Sequence, residues 1–172
     1  MRVPEALVNF KLYRDGSPDV LGVVDVDLPK LEKVTETIKG AAILGEYDTS
    51  IIGHTKAMDL KIKFRVINKS CTFLASEEVQ QIIIRGLVQE KDTSSVKIIE
   101  TGIKVIAKGV SKSIELGKLE PTKGTDTSVE LNLHYLRVEA DGRVLFEVDK
   151  MNFKYVVDGV DYLERARNIL GI

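Results

Sequence analysis

From Ala57 to Val66 apolar and polar residues alternate without a break. Met58, Leu60, Ile62, Phe64 and Val66 fall on one side, and Asp59, Lys61, Lys63 and Arg65 on the other. Successive side chains of an extended strand point to opposite faces, so this period makes a strand with one dry and one wet face and rules out an amphipathic helix. Shorter or noisier versions run over Leu7–Tyr13, Val20–Leu28, Val79–Gln89, Val96–Ala107, Val129–Glu139 and Arg143–Val157. Asp15-Gly16-Ser17-Pro18 supplies a turn between the first two, and Pro29 and Pro121 sit at strand ends, where a missing backbone donor is tolerated. The expectation is a mainly β, β-rich α+β domain of antiparallel strands with one or two short helices.

The C-terminal third carries the densest local signals. Ala140-Asp141-Gly142 separates two long runs, and with Gly142 in a left-handed position it suits a three-residue bulged hairpin loop. That loop sets Glu139 against Arg143, Val138 against Val144 and Leu136 against Phe146, sorting charges and apolar groups onto separate faces. A two-residue loop would set Leu136 against Glu147. Asp158-Gly159 then ends the return strand. Asp161, with Glu164 three residues on, reads as the cap of a helix that docks by Leu163, Ala166 and Leu170 and closes at Gly171.

At 172 residues the chain is long enough for one domain, residues 1–172, without a disulfide or metal staple. With 25 basic and 26 acidic residues well mixed, there is no electrostatic footprint for holding nucleic acid, and a nearly neutral chain self-associates readily. The single cysteine excludes an intrachain disulfide and fits a reducing compartment. Ile67, Cys71 and Leu74 fall at helical spacing, which makes Cys71 a small buried apolar residue. The N-terminus has no signal-like apolar region, so the expected site of synthesis and assembly is the cytoplasm.

Catalytic patterns are missing. The two histidines, His54 and His134, stand apart from Cys, Asp and Glu at metal-ligand spacing, and there is no phosphate loop or nucleophile elbow. Neither a metal nor a cofactor is expected, nor an enzyme. Asp25 with Asp27, and Glu77 with Glu78, read as solvated carboxylates that discourage edge pairing. Asp149 and Asn152 interrupt an apolar strand and read as polar anchors for nearby backbone.

Between Leu31 and Thr55 the alternation fails. Leu31, Val34 and Ile38 are spaced like a helix side, but Thr35, Thr37, Gly40, Gly45 and Gly53 argue for an irregular extended segment. Such a stretch inside a compact domain implies a partner. Gly40 to His54 has no core of its own and is expected to order only on assembly.

Tyr135-x-Arg137, Asp141-Gly142-Arg143, Glu147-x-Asp149, Asn152 and Gly159-Val160-Asp161, read as one string, resemble the major tail tube proteins of contractile-tailed, P2-like bacteriophages. Leu28-Pro29-x-Leu31, Gly40-Ala41, Gly45, Arg85-Gly86, Gln89, Gly109 and Leu116-Gly117 extend the resemblance over nearly the whole chain. The segment near Cys71 is shorter and more polar than the family pattern, and Lys118-Leu119-Glu120-Pro121 follows it loosely. The resemblance implies two packed antiparallel sheets that join neighbours in a ring-shaped continuous β-barrel, with hexameric rings stacked into a hollow tube. It implies an inter-subunit arm at residues 31–55, placing Glu36, Thr37, Gly40, Gly45 and His54 in subunit assembly, and it makes Gly142, Asp149, Asn152, Gly159 and Asp161 a structural signature. Its partners would be further copies, a contractile sheath protein, a baseplate hub and a tape-measure protein, with DNA crossing the lumen unread. The location would be the tail tube of a virion or a phage-tail-like particle; the secreted tube protein of bacterial injection systems is a close variant. The alternative from another class is a monomeric β-barrel binding a small ligand or glycan.

Overall fold

The computed structural model describes residues 2–14 and 22–172; the Asp15–Pro18 turn lies outside them. The chain is mainly β. Its strands are β1 (Arg2–Arg14), β2 (Val23–Asp27), β3 (Lys33–Lys39), β4 (Glu46–Thr55), β5 (Met58–Phe64), β6 (Gln80–Asp92), β7 (Ile98–Glu115), β8 (Thr127–Ala140), β9 (Arg143–Asp149), β10 (Lys154–Val157) and β11 (Val160–Asp161). Two short helices, α1 (Lys69–Leu74) and α2 (Glu164–Leu170), complete it. Nine of these strands form one antiparallel sheet in the order β1-β6-β7-β8-β9-β10-β11, with β5 on β8 and β2 on β5; β3 and β4 form a separate two-stranded sheet.

The large sheet is open, and it makes both layers of the core. β8 carries β5 along residues 127–133 and β9 along residues 135–140. Between these stretches the β7–β8 register slips, so Lys108 pairs with Tyr135 but Gly109 with Leu133, leaving His134 as an extra residue. The bulge switches the parity of β8: Leu131 and Leu133 face inward before it, Leu136 after it. Bulges of this kind let a strand pass from one layer to the next. Gly109 permits the bend, because a Cβ there would collide with the backbone carbonyl of Asn132. Leu60, Ile62 and Phe64 of β5 thus join one cluster with Leu12, Ile82, Val105 and Val148 of the other half of the sheet. Cys71 and Leu74 of α1 pack into it, and Asn68 caps that helix by accepting from the Cys71 amide at 3.0 Å.

Three local expectations differ from the structure. The β8–β9 connection is a two-residue turn, Asp141-Gly142 (φ 48° and 75°), as a type I′ hairpin requires. The polarity conflict that argued against that turn is removed by a bulge at Leu145: Glu139 pairs with Val144, but Val138 then pairs with Phe146, Leu136 with Val148 and Arg137 with Glu147. The single return strand Arg143–Val157 is two strands folded on each other. Asp149 Oδ1 accepts from the amides of Met151 and Asn152, both at 3.0 Å, and its Oδ2 accepts from the Asn152 side chain at 2.7 Å, closing a turn with Phe153 at φ 51°. Lastly, Asp161 lies ahead of the helix N-cap. α2 begins after Leu163; Asp161 accepts from the Leu163 amide at 3.0 Å and pairs with Arg167 at 2.7 Å. Only Leu163 docks, with Ala166 half-buried, while Ile169, Leu170 and Ile172 stay exposed. Asp161→Ala is therefore expected to cost about 1 to 2 kcal/mol through the lost amide bond and charge pair, read as a lower denaturant midpoint at unchanged slope.

Candidate assembly surfaces

The wet face of the layer β2-β5-β8-β7 is a lattice of ion pairs. Lys63 of β5 bridges Asp25 and Asp27 of β2 at 3.3 and 3.0 Å. Lys61 reaches over β8 to Glu115 of β7 at 3.2 Å, and Lys112 of β7 reaches back to Asp59 and Glu130 at 2.7 and 3.0 Å. Ser113, Ser128 and Asn132 each donate one further bond, to Glu130, Glu115 and Asp59 respectively. Five carboxylates thus face three ammonium groups, and each ammonium is engaged. The bulge between Ser111 and Ser113 on β7 aims Lys112 at this face.

Lys112 holds the Asp59 carboxyl below its ordinary value of 3.8. Ser128 and then Lys61 hold Glu115 below 4.5, and Asp27 followed by Asp25 raises Lys63. A carboxyl depressed by folding contributes stability in full above its unfolded value, and that contribution is lost as pH falls through the lower folded value. Melting temperature is accordingly expected to hold from neutrality to about pH 4.5 and then decline. Asp59→Asn should shallow the decline in a pH series of melts.

This face ends in two open edges. Among the described residues β2 pairs only with β5, and β7 beyond Gly109 pairs only with β8. β1 is a third open edge, but it contains Pro4, which lacks a donor, and two register slips, at Pro4/Ala6 and Leu7/Asn9. Such features discourage pairing.

The segment read as irregular is a paired hairpin. Its alternation is illegible because nearly every residue of β3 and β4 is exposed, so neither face had to be apolar. Glu36 pairs with Thr49, and Thr37 Oγ1 donates to Asp48 at 2.6 Å. Gly40 and Gly45, the latter at φ 90°, bracket a tip on which Leu44 is fully exposed. His54 lies at the base, its ring Nδ1 3.1 Å from the Ile52 carbonyl. The five arm residues are strung along one projection and do not form a cluster. Gly142 and Gly159 (φ 75° and 80°) complete tight turns, while Asp149, Asn152 and Asp161 make the bonds described above.

Sequence reasoning overlooked the base. Lys33 pairs with Thr55 and Thr35 with Ser50, so Ile51 to His54 bulge out opposite Val34 alone. The Lys150 ammonium donates to the carbonyls of Lys56 at 2.8 Å and Thr55 at 3.4 Å, and Leu163 lies against Gly53. Gly53 directly before His54 was the available signal.

A family model described as phage tail tube protein FII matches residues 4–171. The tail tube protein of Escherichia phage P2 is 26% identical over 176 residues, spanning the whole of both chains. The major tail tube protein of Serratia phage KSP20 is 24% identical over 186 residues, spanning all of this chain and 99% of its own. Because the match runs from Pro4 to Gly171, through the arm, both layers and the C-terminal turns, the chain belongs to the phage tail tube protein FII family.

Proposed function

We propose that copies of this chain close edge to edge into hexameric rings that stack as the inner tube of a contractile tail. The observation that carries this reading is the four-stranded polar layer with an open edge on each side. Its strands alternate in direction, so β2 of one copy meets β7 of the next antiparallel, and a row of unpaired backbone groups on each edge is satisfied. The ion-pair lattice then lines the lumen. With Lys61, Lys63 and Lys112 each held by carboxylates, and carboxylates outnumbering ammonium groups in the lattice, the wall holds a passing phosphate chain weakly, and DNA crosses unread. Residues 1–172 act as one domain whose arm reaches neighbouring copies, and Glu36, Thr37, Gly40, Gly45 and His54 serve that contact. Sheath, baseplate hub and tape-measure proteins are the other partners, assembly precedes lysis in the bacterial cytoplasm, and the role is structural. An open sheet suits a self-contained ligand-binding barrel poorly.

The test pairs Asp25→Cys or Asp27→Cys with Ser113→Cys or Glu115→Cys in the same chain. Cys71 is buried and stays silent. Oxidised tubes are expected to run as a ladder of covalent oligomers, since disulfides need Cα atoms within about 7 Å. Tubes seen by negative stain that never cross-link in any of the four pairings would overturn the β2–β7 seam. A protein that stays monomeric at high concentration would overturn the tube.

A further inference from the structure

We propose that the C-terminal segment is the clamp of the arm: Lys150 holds the Thr55–Lys56 end of β4, Leu163 packs over Gly53 in the adjoining Ile51–His54 bulge, and together they set the direction in which the β3–β4 hairpin leaves the body. The two grips differ in kind. Lys150 follows Asp149, whose side chain shapes the β9–β10 turn, and its ammonium donates to the Lys56 and Thr55 carbonyls where β4 ends. Burial pushes the Lys150 ammonium below its ordinary pKa, which places it in an enclosed site at the arm's base. The second grip is steric. Leu163, 7% exposed, fills the space over Gly53, where a Cβ would come within 2.5 Å of its Cδ1, and Gly53 also sits at φ 71°. Between the grips lies a cleft of about 220 Å³ bordered by Phe153.

Beyond the base the arm has little hold on the body. The Glu32–Lys56 ion pair and the Lys56 amide to Glu32 carbonyl bond join the two flanks of the hairpin to each other rather than to the body. The bulge is thus a bend whose angle the clamp decides. The same C-terminal third that closes the fold also aims the assembly arm, so the signature around Asp149 and Asp161 acts at a distance from where neighbours meet.

This inference rests on the arm having a role in assembly, but its first readout does not. In the soluble subunit, Lys150→Met keeps the stem and removes the donor, and Leu163→Ala removes the steric grip. Each is expected to speed hydrogen exchange of the β3 and β4 amides about tenfold or more, while β5–β8 amides keep wild-type protection. In the assembly assay the critical concentration should rise several-fold. Unchanged arm exchange in both variants would overturn the clamp, whatever assembly does. Loss of protection through β5–β8 in step with the arm would overturn it too, because Lys150 and Leu163 would then only hold the body together. A looser arm with wild-type assembly would leave the clamp standing and remove the arm's role in the tube.

Discussion

Gly117→Ala is expected to lower the melting temperature by about 10 °C, since a domain of this size loses roughly 2 to 4 °C per kcal/mol. Gly117, two residues beyond the end of β7, stands at φ 79°, a left-handed conformation that costs an L-residue about 1 to 2 kcal/mol. The larger problem is space. The loop from Leu116 to Asp126 folds back on itself, with the Lys118 amide donating to the Thr125 carbonyl at 2.9 Å and the Thr125 amide to Arg65 at 2.8 Å. A Cβ on Gly117 would overlap the Thr125 carbonyl oxygen and stand 2.8 Å from its carbon. Overpacking of this sort costs about 1 to 3 kcal/mol more. Backbone cannot rotate away as a side chain can, and Thr125 is held besides by its hydroxyl, which accepts from the Ile67 amide and shares a hydrogen bond with the Thr127 hydroxyl. Gly102→Ala is the control: a Cβ there meets nothing within 4 Å, and its φ is ordinary. Equal melts for the two variants would show that the loop yields easily.

The second large effect concerns charge. Asp25→Lys with Asp27→Lys turns five carboxylates and three ammonium groups on the lattice face into three and five. These are exposed pairs, worth about 0 to 1 kcal/mol each, so the subunit itself should fold nearly as before. In the proposed tube the change would repeat in every copy and face one narrow space. Assembled variant tubes are expected to retain linear DNA that wild-type tubes release. Retention should weaken about a thousandfold or more between 50 and 200 mM salt, as polyion binding does, and the retained DNA should resist nuclease. Retention that stays open to nuclease would put this face on the outside. Asp25→Asn with Asp27→Asn should give the same result at half the charge change.

How far the sequence could be read depended on whether burial had imposed a pattern. β5 was legible to within a residue or two because Met58, Leu60, Ile62 and Phe64 are buried while Asp59, Lys61 and Lys63 are not. β1 and β7 run well past their readable parts, since residues 2–6 are exposed and Ser111-Lys112-Ser113 contains a bulge. The arm was illegible as a strand pair for the same reason, though its glycines marked where it turns. Bulges defeated register. One at Leu145 makes a two-residue turn compatible with the apolar faces, and no residue type announces it. The polar lattice was half visible: Asp25 and Asp27 were read as solvated carboxylates, but Lys63 opposite them could be paired only once β2 was laid on β5. Asp149 illustrates a residue whose chemistry was readable and whose geometry was not, because an anchor for backbone can shape a turn or cap a helix with the same bonds.

The even strand number of the polar layer has a consequence for size. Since β2 and β7 run in opposite senses, the proposed seam between copies would repeat the geometry found inside each copy, and backbone bonding would be equally content with any number of subunits. Hydrogen bonds therefore cannot count. What can count is curvature: each copy must turn the wall by a fixed angle, and that angle resides in strand twist and in the packing that bends the layer. Substitutions that alter twist, near the Ser111–Ser113 bulge above all, should change how many copies close the circle and so the bore, while the wall stays intact.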